Sequence, residues 1–405
     1  MTTLKWWSIG INDIRISTCM FDRILIKSGS RSTEQFLSIQ DIVDMMFYYG
    51  EVHVVVSQFE LRQLLQVFGE DVLYELIISK RLYMHPCDQH IGAVRQNETG
   101  LCSAGMFRRN FGSIEHLLYV YHRDFIRNSV DNMRFASKFS KIMEEYRYPS
   151  LVQESIYKDI ENDTFISKST QTFIKLYYPT YRNPEEIVLH AEPVQSQLGG
   201  MYRLEGNIRI DELNTIHQEL KYPGFFSYSN VMLAMGETAQ DCYLSSEIKA
   251  DLITNSRWAE TYKLRMSKCV DDAEKSNENI ECFHQTVAYE FLSPGEAFSL
   301  GKITPKEILN LLNDKNSIKF KEWLKKIPDG TPLSGEYYNK IRKLNSDNPL
   351  LKSIRVLSQS ILGLIHPISG VVATLLDGFV VEKIINGWKP MLFVDKVFRK
   401  DNFNR

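Results

Sequence analysis

The pattern of apolar and polar positions in the first hundred residues alternates between helices and strands. Val52 to Val56 reads VHVVV, a β-branched run typical of a buried strand. Ser57 and Glu60 form the capping-box pattern that opens the helix FELRQLLQVF, and Gly69 ends it. A second helix, DVLYELIIS, leads to the short strand RLYMH. Strand, two helices and strand, joined by short connections, predict a small, partly parallel sheet.

The middle of the chain has a mixed pattern. Arg108 to Lys141 is helical in character, aromatic and locally basic, whereas the polar stretch from Tyr148 to Asp163 predicts a connector. Two stretches with partial period-two alternation, EIVLHAEPV and MYRLEGNIRI, flank Gly199 and Gly200 and predict a β-pair.

Beyond Pro223 the pattern is mostly helical. Thr304, Pro305 and Glu307 form a helix start with proline in the first turn, and SIKFKEWLKKI carries an apolar stripe. The whole pattern predicts an α+β protein: an N-terminal α/β domain with a small partly parallel sheet, then a mostly α-helical C-terminal domain. We predict a sensing or ligand-binding α/β domain over 1–150, a mixed connector with the β-pair over 151–222, and a helical domain over 223–405.

A run without any charged residue extends from Val356 to Leu376 near the end of the chain. Its length suits a bilayer, but a proline and a histidine in its middle would be costly in hydrocarbon. We therefore predict a buried helical hairpin with close helix contacts. Association of the segment 356–381 with a membrane on a trigger is the alternative, favoured by basic residues between Lys302 and Lys352. The hairpin residues are Gly363, His366, Pro367, Gly370, Asp377 and Gly378.

Composition narrows the functional classes. The formal net charge of −2 over 405 residues argues against a dedicated nucleic-acid-binding protein. Six cysteines lie far apart without C-x-x-C spacing, and the N-terminus has no secretory pattern, so we expect reduced thiols and a cytoplasmic location.

The densest group of metal-ligating residue types follows the strand RLYMH. Its histidines, cysteine and aspartate are side chains that bind zinc, but their spacing matches no common zinc motif. We predict no bound metal and no cofactor. A ligand site in this domain is expected at the strand ends. Its residues are His85, Cys87, Asp88, His90, Arg108 and Arg109.

The basic and aromatic stretch from Arg108 to Lys141 has two interpretations. Interleaved bases and rings suit single-stranded nucleic acid, with charges on phosphates and rings under bases. At helical spacing, however, the rings face the core and the bases face water, which is the interpretation we favour.

Four stretches together resemble a family of uncharacterised bacterial proteins. They are NIRIDELN, LSSEIKADLI, KFKEWL and DGFVVEKIINGWKPMLFVD, and the similarity covers roughly residues 200 to 400. The resemblance implies a context of mobile gene islands and anti-phage defence, and it brings no catalytic residues with it.

These observations predict a cytoplasmic binding or effector component of a bacterial defence system, whose partner is another protein or a ligand. G-x-S-x-G, H-E-x-x-H, G-x-x-x-x-G-K-[ST] and G-x-G-x-x-G are absent from the sequence, so it offers no catalytic signature. The alternative is a metal-dependent nuclease or phosphodiesterase acting through the His85–His90 region.

Overall fold

The computed structural model describes residues 22–26, 37–95, 101–123, 125–126, 128–194, 200–222, 224–248, 250–253 and 294–324. These residues belong to two compact units. The first unit takes its described residues from 23–26, 37–38 and the ranges between 51 and 253, and the second from 22, 39–50 and 294–324. The boundaries predicted near 150 and 222 both fall inside the first unit. The hairpin residues from Gly363 to Gly378 lie outside the described residues.

The described part of the chain contains both helices and strands, as the predicted α+β class requires. In chain order they are β1 (Arg23–Ile26), α1 (Ile39–Tyr48), β2 (Glu51–Val56), α2 (Gln58–Phe68), α3 (Glu70–Ile78), β3 (Leu82–Pro86), β4 (Gln89–Arg95), β5 (Cys102–Arg108), α4 (Ile114–Arg123), α5 (Ser129–Phe139), α6 (Ser150–Ile160), α7 (Asp163–Tyr177), β6 (Leu189–Val194), β7 (Met201–Gly206), α8 (Ile210–Glu219), α9 (Tyr228–Ile248), β8 (Asp251–Ile253), α10 (Pro294–Ser299), α11 (Pro305–Leu312) and α12 (Lys315–Leu324).

The first unit contains a parallel sheet in the strand order β3-β2-β1-β8. Strands β1, β2 and β3 pair in parallel, and the short β8 adds a fourth parallel strand. Ser57 caps α2 with the predicted capping box, and Gly69, at φ +74°, ends that helix. The local signals therefore predicted β2, α2, α3 and β3 correctly, but they did not predict β1, and β8 lies in the stretch beyond Pro223 that was expected to be mostly helical. The described strands of this sheet are all parallel where partial parallelism was expected.

A second, antiparallel sheet in the same unit has the order β4-β5-β7-β6. Strands β6 and β7 form the β-pair predicted from the sequence, with Leu189 opposite Gly206 and Val194 opposite Met201. β5 pairs with β7 at Cys102 with Tyr202 and at Ser103 with Met201.

Helix α9 is the central packing element of the first unit, and it contacts strands of both sheets. Its Gly236 lies so close to β4 that an added Cβ would come within 2.7 Å of Ile91 Cγ2. Phe226 and Tyr202 are almost completely buried in the surrounding core. The absence of a side chain at Gly236 thus permits the close approach of this helix to the sheet.

Helices α6 and α7 correct one sequence prediction. The stretch from Tyr148 to Asp163, predicted as a connector, contains the regular helix α6. Val152, Ile156 and Ile160 lie four residues apart and are buried in the core, so a narrow apolar stripe holds this otherwise polar helix.

The second unit is helical where it is described. Asp44 of α1 is buried, and its Oδ1 accepts a hydrogen bond of 2.8 Å from the backbone N–H of Gly295 in α10. Tyr48 of α1 packs edge to face against Phe320 of α12, with ring centroids 6.3 Å apart. Thr304 caps α11 through the predicted capping box. No helix among the described residues is long and apolar enough to cross a membrane.

Candidate functional site

The parallel sheet of the first unit has two chemically different faces. One face is apolar: Val52, Val54 and Leu82 on it are fully buried. The opposite face carries a row of polar and aromatic side chains, which we call the polar face. Its members are Arg23, Glu51, His53, Tyr83 and His85, with Leu25 and Val55 between them.

Strand register explains why these side chains share a face. Successive residues of a strand point to opposite faces, whereas residues paired across a ladder point to the same one. Arg23 pairs with Glu51, and His53 pairs with Tyr83. His85 lies two residues beyond Tyr83 and therefore returns to the face that His53 occupies.

The polar face is connected by one ion pair, between Arg23 and Glu51, followed by a series of hydrogen bonds. Arg23 Nε lies 2.7 Å from Glu51 Oε2, and that oxygen lies 3.3 Å from His53 Nε2. His53 Nδ1 lies 2.9 Å from His85 Nε2. The Tyr83 hydroxyl donates to Glu51 Oε1 over 3.3 Å, so one carboxylate organises this end of the site.

Aromatic stacking fixes the central imidazole. The ring of His53 stacks on Tyr83 with centroids 4.6 Å apart and on His85 with centroids 5.2 Å apart. His53 is only 5% exposed, while His85 is half-buried. The chain of contacts therefore passes from partly exposed side chains at Arg23 and Glu51 through a buried imidazole to a second, more accessible one.

Tyr146 borders the site beside His85. Its backbone N–H donates to Pro86 O, and Gln89 exchanges two hydrogen bonds with the backbone of Tyr148, which anchors this segment next to β3. The ring of Tyr146 meets His85 edge to face at 5.9 Å, and its hydroxyl donates to Glu247 of α9 over 2.5 Å.

Burial sets the protonation of the two histidines. Desolvation, together with the nearby His53, lowers the pKa of His85 to about 4. Desolvation also lowers the pKa of His53, against the opposing hydrogen bond and charge of Glu51. Both imidazoles are accordingly neutral near pH 7, and a neutral imidazole carries one N–H donor and one lone pair.

The structure does not bring the residues of the predicted strand-end site together. His85 belongs to the polar face. Asp88 is buried, and its Oδ1 lies 3.7 Å from Arg109 Nε. The remaining residues make separate contacts: Cys87 donates to Gln89 O over 3.5 Å, His90 packs beside Phe107 at 6.3 Å, and Arg108 pairs with Glu145 at 3.1 Å.

Metal binding receives no support from this arrangement. Within the described part of the chain, no three His, Cys, Asp or Glu side chains are grouped so that they could hold a metal ion. The region from His85 to His90 turns between two strands, which sends its side chains in different directions.

The basic and aromatic stretch folds as a helical hairpin of α4 and α5. His122 and Phe135 stack with ring centroids 4.1 Å apart, and Phe135 stacks on Phe139. Lys138 pairs with Glu70 at 3.0 Å. The rings of His122, Phe135 and Phe139 are packed inside the hairpin, as the amphipathic interpretation predicts, whereas Phe107 at the end of β5 is 50% exposed.

Sequence reasoning found only one member of the polar face. It missed Arg23, Glu51, His53, Tyr83 and the neighbouring Tyr146. A usable signal was present in the strands EVHVVV and LYMHP, where polar residues recur at every second position on an otherwise apolar strand. No family model, curated protein or solved structure matches the chain.

Proposed function

We propose that this chain is a cytoplasmic binding or effector component of a bacterial anti-phage defence system, and that its first unit recognises a ligand at the polar face. The resemblance over residues 200–400 supplies the biological context. The polar face supplies the binding site, and it is the observation that carries the proposal.

A polar row on a parallel sheet needs an explanation. Parallel sheets are usually covered on both faces, and their strands are apolar on both. Charged and polar groups beneath such a cover are costly unless every one is paired. Glu51, His53 and His85 do pair with one another, but apolar side chains would pack here without that requirement. Their presence therefore favours a binding role over a purely structural one.

The donors and acceptors of the polar face suit a small polar ligand. His85 Nδ1 and the hydroxyl oxygens of Tyr83 and Tyr146 offer uncharged hydrogen-bonding groups, and aromatic rings flank them. Such a mixture of flat rings and a few placed polar groups is typical of small-molecule sites.

We further propose, as the alternative to burial of the segment 356–381 within the protein, that this segment associates with a membrane on a trigger. Dye leakage from anionic liposomes tests this step with the purified chain, with and without a candidate partner protein. Leakage that depends on Gly363 and Gly370 supports it, and intact liposomes in every condition contradict it.

Phage challenge tests the proposal as a whole. Bacteria carrying the gene with its natural neighbours are compared with bacteria carrying the His85→Gln or Tyr83→Phe variant, at matched protein levels. We expect the variants to lose protection, measured as plaque number. His116→Gln, on an exposed side chain of α4, is the matched control. Full protection by both polar-face variants, or none by the wild type, would overturn the proposal.

A further inference from the structure

The hydrogen-bond chain of the polar face has a defined direction. A carboxylate only accepts hydrogen bonds, so His53 must present an Nε2–H to Glu51. The neutral imidazole of His53 then has its lone pair on Nδ1. Because this lone pair faces His85 Nε2 at 2.9 Å, His85 must donate from Nε2. The opposite direction would set the lone pair of His53 against a carboxylate oxygen.

With the protons placed in this way, the His85 end of the hydrogen-bond chain has an unused lone pair. With its proton on Nε2, His85 carries its own lone pair on Nδ1. Among the described residues, no hydrogen bond reaches that nitrogen, and the imidazole is half-buried. The polar face thus ends in a nitrogen lone pair that is oriented by a buried partner.

We propose that Glu51, His53 and His85 form a proton relay in which His85 Nδ1 is the general base toward a bound molecule with a hydroxyl group. This inference rests on the proposed function, because it requires a ligand on the polar face. His85 is then the catalytic residue, while His53 and Glu51 are positioning residues that act through it.

The proton transfers balance along the relay. The ligand O–H bond breaks, its electron pair stays on the ligand oxygen, and the proton bonds to His85 Nδ1. The proton on His85 Nε2 moves to His53 Nδ1, and the proton on His53 Nε2 moves to Glu51. Both imidazoles end neutral in their other tautomer, Glu51 becomes a carboxylic acid, and the ligand becomes an oxyanion. When the ligand oxyanion takes its proton back from His85 Nδ1, the other two transfers reverse along the same path.

The charges around the relay affect its two ends differently. Arg23 forms an ion pair with Glu51 at one end of the relay. Tyr83 donates to that carboxylate, and Tyr146 donates to Glu247 near His85. Desolvation and these acids raise the pKa of both phenols, so the tyrosines stay protonated and do not compete as bases.

Two measurements on the full-length chain test the relay without an identified ligand. Long-range proton–nitrogen NMR spectra of histidine-labelled protein report which ring nitrogen carries each proton. We expect the Nε2–H tautomer at both His53 and His85. Diethyl pyrocarbonate, an electrophile that a neutral imidazole attacks through its lone pair, should modify His85 at neutral pH, as peptide mapping by mass spectrometry would show.

The Glu51→Gln variant separates a relay from a merely structural network. Glutamine keeps a hydrogen-bond acceptor in place but removes the charge that receives the proton. We expect diethyl pyrocarbonate to modify His85 several-fold more slowly in this variant, with His116 of the same molecule unchanged. An Nδ1–H tautomer at His85, or an unchanged rate in Glu51→Gln, would refute the relay. Phage protection is scored separately, so a polar face that binds without proton transfer remains distinguishable from a face without function.

Discussion

His53 Nδ1 lies 2.9 Å from His85 Nε2, between two strands that are distant in sequence but adjacent in the sheet. The contact makes each imidazole depend on the neutral state of the other. Protonation of His53 Nδ1 would turn the shared hydrogen bond into a repulsive contact between two donors. The stability of the parallel sheet therefore depends on pH through this pair of histidines.

We expect this coupling to reduce stability in mild acid. The pKa of His85 is about 4 in the folded chain and about 6.5 when unfolded, so only the unfolded state gains the proton as pH falls between these values. The stability that the neutral histidine contributes is complete above pH 6.5 and is lost as pH falls toward 4, by no more than about 3 kcal/mol. His85→Gln should flatten this dependence.

Pulse proteolysis in urea at pH 7 and pH 5 measures the effect on the first unit. The urea midpoint of the wild type should fall between the two pH values more than that of His85→Gln. His116→Gln serves as the control and should behave like the wild type. Equal pH dependence in wild type and His85→Gln would show that His85 titrates normally in the folded chain.

A local sequence pattern predicted much of the parallel sheet. The run around Val52 and the capping box at Ser57 and Glu60 act within a few residues, so they can be recognised without the fold. The polar face depends on the register between strands about thirty residues apart, which no local pattern contains. The α6 helix was missed for a related reason: its narrow apolar stripe becomes decisive only because other elements cover it.

Gly236 and Ile91 provide a test of the packing of α9 on the antiparallel sheet. Gly236→Ala should gain about 1 kcal/mol of helix propensity but lose more through overpacking, which typically costs about 1–3 kcal/mol. In Ile91→Ala the added methyl group finds room, so the double variant should be more stable than the sum of the single effects predicts. Pulse proteolysis of the wild type, the two single variants and the double variant measures the four stabilities of this double-mutant cycle. Strictly additive effects would contradict the close approach.

Substitutions of Asp88 and Arg109 test how the charge of the buried Asp88 carboxylate affects stability. Asp88 Oδ2 is buried and makes no hydrogen bond within the described part of the chain, and desolvation raises the pKa of this side chain. Because the pKa of Asp88 is higher in the folded chain, the free energy of unfolding falls as pH rises through 3.8, the pKa of this side chain in the unfolded chain. Asp88→Asn should therefore be at least as stable as the wild type at pH 7, whereas Arg109→Ala should lose more stability relative to the wild type at pH 7 than at pH 4. Urea denaturation at both pH values measures this. A destabilised Asp88→Asn would indicate a required negative charge.

Asp44 and Gly295 provide a test within the second unit. Removal of the carboxylate in Asp44→Ala leaves the Gly295 N–H without its buried acceptor, at a cost of about 1–3 kcal/mol. Asp44→Asn retains an acceptor oxygen and is the matched control. Hydrogen exchange followed by mass spectrometry is the suitable measurement, because two units need not unfold together. We expect faster exchange over residues 39–48 and 294–324 in Asp44→Ala only, with strands β2 and β3 unchanged. Equal exchange in both variants would show that this hydrogen bond does not hold α10 on α1.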